Sequence, residues 1–376
     1  MTTPASCATF LLLTVIVPSA RALTYTASIL HPVDFIESYG WSVSDGIQVG
    51  YGRGPATSNF THALLWTGQA ASVVDLNPPG FTVTFAKGVS GDRQVGFGNG
   101  SATRSQNHAL LWQGTSSSFV DLNPLGMTFS SAYGISGDSQ GGEARGPATG
   151  NQDHALLWTN TAASAVDLNP VGFEQSSAWA VSDTSQVGNG YPPAPPNGFA
   201  NSHALLWHGT AASAVDLTPP NFTSSSALGV SGNSQVGYGN DHALLWHGTA
   251  ESFIDLNPAG FDNSIANGVA GDYQVGHASG PATNNQTHAF AWNDTAGSAV
   301  DLHAFLASLS PAFVSSNAVG ITENGNIIGY AYDANFNGYA ILWTPVPEPT
   351  SLTLLLGVAA VGGLRRNRQL CKAPRR

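Results

Sequence analysis

Gly88-Val89-Ser90-Gly91-Asp92-Arg93-Gln94-Val95-Gly96, followed by His108-Ala109-Leu110-Leu111-Trp112 and then Val120-Asp121-Leu122-Asn123-Pro124, is a unit that the chain uses again and again. His-Ala-Leu-Leu-Trp opens at His62, His108, His154, His203 and His242. It recurs as His288-Ala289-Phe290-Ala291-Trp292 and as Tyr339-Ala340-Ile341-Leu342-Trp343. The spacings are 46, 46, 49, 39, 46 and 51 residues, so one supersecondary unit appears seven times. Each unit offers four short strands: a Gly/Ala-rich one (Ala86 to Ser90), a Gln-Val-Gly-Phe one, the His-Ala-Leu-Leu-Trp one and a Val-Asp-Leu one. Gly, Asn and Pro between them supply the turns. His-Ala-Leu-Leu-Trp is apolar on both faces, which implies burial on both sides, as in a blade held between two others. The Gly/Ala-rich strand suits a crowded central axis. Together these features predict an all-β, seven-bladed β-propeller of about 46-residue repeats. A parallel β-helix is the main alternative, although its rungs are usually shorter.

The chain ends decide between the two. The seventh unit stops after Trp343 without a Val-Asp-Leu strand, and residues 27–50 align without gaps onto 73–96. Leu30 then matches Leu76, Pro32 matches Pro78, Phe35 matches Phe81, and Gln48-Val49-Gly50 matches Gln94-Val95-Gly96. An N-terminal strand therefore completes the last blade and closes a ring, which a solenoid would have no reason to do.

Composition agrees with a turn-rich β body. The chain has 376 residues, of which only 9% are charged, and 43 are Gly; good helix formers are scarce. Residues 23–345 hold five basic side chains (Arg53, Lys87, Arg93, Arg104, Arg145) against 22 acidic ones, a balance of 5 − 22 = −17. Such a surface repels phosphate backbones, and nucleic acid is excluded as an expected partner. The two cysteines, Cys7 and Cys371, lie in the terminal segments, so neither disulfides nor a thiolate site are expected in the body.

Both ends read as addresses. Residues 10–17 are an apolar run, followed by Pro18 and Ala20-Arg21-Ala22; the small-x-small pattern predicts a signal peptide over 1–22, cleaved after Ala22. A propeller domain over 23–345 and a sorting segment over 346–376 complete the expected layout. In that segment Pro347-Glu348-Pro349 precedes an apolar stretch from Leu352 to Leu364 and a basic stop at Arg365, Arg366 and Arg368. About 13 apolar residues is short for a permanent span, which needs roughly 20. A C-terminal hydrophobic helix of this kind would insert transiently into the inner membrane, its arginines held in the cytoplasm. Residues 346–368 resemble the PEP-CTERM sorting domain, which exosortases of Gram-negative bacteria recognise, and Pro347, Glu348 and Pro349 match its signature triplet. The resemblance implies an exosortase as processing partner and a final place at the cell surface or outside it. The repeats in turn resemble the bacterial extracellular HAF family, literally at His288-Ala289-Phe290; that resemblance implies export and no activity.

The candidate chemistry is repetitive. His62, His108, His154, His203, His242 and His288 each open the same strand in a different blade, too far apart to converge on one metal ion. Each is expected to bond a backbone carbonyl or its own blade's aspartate (Asp75, Asp121, Asp167, Asp216, Asp255, Asp301). Trp66, Trp112, Trp158, Trp207, Trp246, Trp292 and Trp343 are expected as core between blades. Trp41 and Trp179 occupy inner-strand positions where other units carry Lys87, Tyr133 or Leu228; they either line one mouth of the axis or fill space. Neither a nucleophile elbow, a phosphate loop nor a zinc motif is present, so neither cofactor nor metal is expected. The long connections, and 191–199 above all, predict an interaction surface on their face. The expected function is a non-catalytic binding or structural module for envelope glycans or surface proteins. The alternative is an exported propeller lyase or hydrolase acting on polysaccharide, which would have to break the seven-fold symmetry at one mouth.

Overall fold

The computed structural model describes residues 24–346 except 196, 197 and 199. The predicted signal peptide, the Pro347-Glu348-Pro349 triplet, the hydrophobic stretch and the basic stop lie outside these residues. Among the described residues there is no α-helix, and no helix is long and apolar enough to cross a membrane.

Seven four-stranded antiparallel sheets surround an axis, as the repeat predicts. In the first, β2 (Glu37–Ser44), β3 (Ile47–Arg53), β4 (His62–Trp66) and β5 (Val74–Asp75) pair in sequence order. The same series follows five times. The seventh sheet holds Phe313–Ile321, Ile327–Asp333 and Gly338–Pro345, with β1 (Tyr25–Ile29) as its outer strand. β1 runs antiparallel to Gly338–Pro345 from Tyr25 opposite Pro345 to Ile29 opposite Ile341. The N-terminus closes the ring, in the place the seventh unit leaves vacant.

Packing between blades follows from the third strand. All seven repeat tryptophans are at most 1% exposed, each in an apolar cluster with the residue two before it on its strand, as Trp66 with Leu64, Trp112 with Leu110 and Trp292 with Phe290. Trp343 Nε1 donates to Leu302 O at 3.0 Å; the other six buried indole N–H groups find no acceptor. Burial of a large ring outweighs that omission, since the hydrophobic part of a tryptophan far exceeds the net worth of one hydrogen bond.

A polar relay joins each blade to the next. Ala63 N donates to Thr84 Oγ1 at 2.9 Å, and Thr84 Oγ1 donates to Asn77 Oδ1 at 2.9 Å. Ala109–Ser130–Asn123, Ala155–Ser176–Asn169, Ala204–Ser225–Thr218 and Ala243–Ser264–Asn257 repeat it. In the last two, histidine stands where the others carry Asn or Thr: Ala289–Ser316–His303 and Ala340–Ser38–His31. The same three-group bond therefore crosses the closing seam, and the alanine amide at this place is paired at all seven blade boundaries.

The innermost strand of every blade carries a β-bulge. Pairing skips one residue between Gly40 and Ser42, Ala86 and Gly88, Ala132 and Gly134, Ala178 and Ala180, Ala227 and Gly229, Ala266 and Gly268, and Ala318 and Gly320. The glycine of Gln-Val-Gly makes this possible. A Cβ on Gly50, Gly96 or Gly188 would stand 1.8 Å from the carbonyl oxygen that the bulge folds over it, and 1.9 Å in the third, fifth, sixth and seventh blades. The repeated glycine is thus a requirement of the bulge, whose function is to re-aim one side chain.

Candidate functional site

The skipped residues are Trp41, Lys87, Tyr133, Trp179, Leu228, Asn267 and Val319, one per blade, and all seven line a cavity of about 380 Å³ on the axis. The two residues that follow each of them complete its wall, mainly small residues and then Val or Ile (Ser42-Val43, Gly88-Val89, Gly134-Ile135). These are the ends of the inner strands that lead into the tight turns. The cavity therefore sits at the end of the axis opposite the long connections, away from the face that loop length pointed to.

Here the seven-fold repeat gives way. Elsewhere the blades present the same residue at the same place; on the bulge they present two indoles, a phenol, an amine, an amide and two aliphatic groups. Lys87 Nζ lies 3.3 Å from the centroid of the Trp41 ring, 4.9 Å from Tyr51 and 5.7 Å from Phe85. Burial among these rings pulls the amine down to about 7. Tyr133 and Trp179 pack with ring centroids 4.5 Å apart. Trp179 Nε1 donates to Asn189 Oδ1 at 2.5 Å, and the Tyr133 hydroxyl donates to Glu143 Oε1 at 2.7 Å. Glu143 Oε2 accepts from Ser177 Oγ at 2.5 Å. Burial pushes the Glu143 carboxyl up, against these two bonds, and it pushes the Tyr133 hydroxyl up as well. Across the cavity Asn267 Nδ2 donates to Asn317 Oδ1 at 2.9 Å and Ala318 O at 2.8 Å, and lies 3.4 Å from His277 Nδ1. Burial drives His277 down to about 4, so the imidazole is neutral near pH 7. Tyr39, Tyr51, Phe85, Phe97 and Tyr330 form an aromatic belt under the first, second and seventh blades.

Of the residues singled out from sequence, Trp41 and Trp179 are on the cavity wall together with Lys87, Tyr133 and Leu228. Asn267, Val319, Glu143, Asn189 and His277 were missed. Comparing the seven units column by column at the residue before the bulge's Gly, Ala or Ser would have found the first two. The six repeat histidines are elsewhere, one per blade. Their Nδ1 atoms meet Asp75, Asp121, Asp167, Asp216, Asp255 and Asp301 at 2.6–2.8 Å. The other oxygen of each aspartate accepts from the backbone N–H two residues on, as Asp75 Oδ1 does from Asn77 N at 2.8 Å. That bond starts the turn into the Asn-Pro connection. Among the described residues no group of three His, Asp or Glu side chains stands together as metal ligands do.

The sequence profile of the PEP-CTERM protein-sorting motif matches residues 345–369. A motif of that kind implies export and processing by an exosortase. No curated protein matches the sequence. Among solved structures, the β-propeller domain of the Trilobed protease from Pyrococcus furiosus, described as having an open velcro topology, aligns at TM-score 0.54 and 9% identity. The alignment covers 82% of this chain and 95% of that one. A puromycin hydrolase mutant complexed with PGG aligns at TM-score 0.55 and 9% identity, over 81% of this chain and 51% of that one. A Mycobacterium tuberculosis puromycin-hydrolyzing peptidase aligns at 0.54 and 11%, over 83% and 52%. The chain spans about half the length of these two hydrolases, and at such identities the likeness is one of fold alone.

Proposed function

We propose that the protein is exported, cut by an exosortase at Pro347-Glu348-Pro349, and left at the cell surface or in the matrix as a propeller that binds without catalysis. The sorting motif that follows the last strand carries the first half of this reading. The axial cavity carries the second. A purely structural ring gains nothing from unlike side chains around one mouth, whereas a site that holds a ligand off-axis needs them. Indole and phenol walls with a few polar groups suit a sugar unit of an envelope glycan or a side chain of a neighbouring surface protein.

The first test is the intact mass of the protein from its host, with both termini mapped. A chain that starts at Leu23 and ends near Pro347 to Pro349 supports the proposal. One that keeps Leu352 to Arg376 refutes processing and makes the protein an inner-membrane one.

The broken symmetry also favours a second reading, an exported enzyme acting on polysaccharide, with Lys87 and Tyr133 as the acid–base groups nearest the cavity. Turnover of envelope polysaccharide that is lost on Tyr133→Phe would establish it; no turnover would leave the binding role.

A further inference from the structure

We propose that the axial cavity recognises the carboxylate of an acidic sugar unit, with Lys87 as its ionic partner. This rests on the binding reading above and names the ligand class. Lys87 is the only lysine between residues 23 and 345. The arginines Arg53, Arg93 and Arg145 are each paired with a carboxylate, Glu37, Asp138 and Asp153. Among the described residues Lys87 has none: no acidic residue among them lines the cavity, and what faces the amine is aromatic. A cation taken out of water without a counter-charge is costly, and a ligand that brings the missing anion recovers that cost.

The surroundings limit the ligand further. The tight turns at this end carry carboxylates with other partners: Asp92 Oδ2 accepts from Gln113 Nε2 at 2.6 Å, Asp138 Oδ1 accepts from Arg93 and Asn160, and Asp183 Oδ1 accepts from Ser136 Oγ at 3.1 Å. None of them forms an ion pair with Lys87, and none lines the cavity. A body with a balance of −17 nevertheless repels a long run of negative charge, so the site suits one carboxylate on an otherwise neutral unit. The cavity lies at the small end of the roughly 300–1,000 Å³ of small-molecule pockets, room for a terminal sugar or two and no more. Trp41, Tyr133 and Trp179 supply apolar wall for a ring. Asn267, its amide nitrogen committed to Asn317 and Ala318, is left with Oδ1 to accept from a hydroxyl.

Binding is then linked to protons. Tyr51 faces Lys87 from β3 and Tyr133 lines the same cavity from the third blade; burial pushes both hydroxyls up, and both stay neutral over the range in question. Trp41, Phe85 and Phe97 do not titrate, and Glu143 lies behind the Tyr133 hydroxyl. Lys87 is charged below about pH 7 and loses its proton above it. A bound carboxylate holds the proton on, so above that point each pH unit weakens binding about tenfold.

The test uses the full-length protein and ligand-observed NMR titration with D-glucuronate and D-glucose at pH 6.0 and 8.5. Glucuronate is expected to bind at least tenfold tighter than glucose at pH 6.0, and to weaken about 30-fold by pH 8.5. Lys87→Met, with its fold checked by circular dichroism, removes both the preference and the pH dependence. Lys87→Arg keeps the preference and loses the pH dependence, because guanidinium stays charged. Equal binding of the two sugars, or a glucuronate preference that survives in Lys87→Met, overturns this inference and leaves sugar binding standing. Binding of neither sugar overturns it together with the glycan reading.

Discussion

Gly188→Ala tests the claim that Gln-Val-Gly exists to make room for the bulge. The new Cβ would lie 1.8 Å from Ser177 O, 2.9 Å from Ser177 C and 3.1 Å from Ala178 Cα. All three are backbone atoms of the paired inner strand, so no side-chain rotation relieves the clash. Either the bulge opens or the two strands part. Overpacking of a core costs about 1–3 kcal/mol where side chains can give way, and a clash with backbone belongs at the top of that range, about 3 kcal/mol. For about 320 ordered residues the unfolding entropy is roughly 0.7 kcal/mol/K, so the melting temperature should fall by about 4–5 °C in scanning calorimetry. Gly297→Ala is the control. Gly297 is outside the positive-φ region, and its Cβ would meet nothing within 4 Å. There alanine only reduces the freedom of the unfolded chain and should leave stability unchanged or raise it by up to about 1 kcal/mol. If Gly188→Ala melts with the wild type, the bulge tolerates a side chain and the reading of the motif is wrong.

His277 gives a pH-dependent prediction. Its folded pKa is depressed to about 4 by burial, against about 6.5 unfolded; as pH falls below 6.5 the unfolded chain takes up a proton that the folded one refuses. Stability is therefore lost between pH 6.5 and 4, on the order of 2 kcal/mol after discounting for partial exposure. His277→Phe, which places the residue that the second blade carries as Phe97, should flatten that part of the profile in chemical-denaturation measurements; an unaltered profile refutes it. For the repeat pairs, His154→Phe should cost about 1 kcal/mol, because the bond to Asp167 is partly exposed. The melting temperature should drop by about 1–2 °C with saccharide binding unchanged, and no drop at all would mean that the pair contributes nothing.

Sequence alone determined what is periodic. Seven copies of a four-strand unit, turns punctuated by Gly and Asn-Pro, and a first segment that fills the gap in the last unit leave one way to bury both faces of His-Ala-Leu-Leu-Trp. The structure has that ring, with Tyr25–Ile29 on its closing blade. The sorting triplet was equally legible, because a motif read by another protein has to be written contiguously. The inter-blade relay from Ala63 to Thr84 to Asn77 was not, since its three members are brought together only when two sheets pack. The axial site was legible only in part: the column of Trp41, Lys87, Tyr133, Trp179 and Leu228 could be read off the repeats, but not that it lies on a bulge and lines a cavity. A bulge is a mismatch between two paired strands, and no single strand shows which of its residues is passed over. Trp41, Lys87, Tyr133 and Trp179 stand about 46 residues apart along the chain and meet only where the blades converge. Loop lengths drew attention to the opposite face because length reports where insertions are tolerated. Where the axis is left open depends instead on which side chains the bulges turn inward and how much of the space they fill.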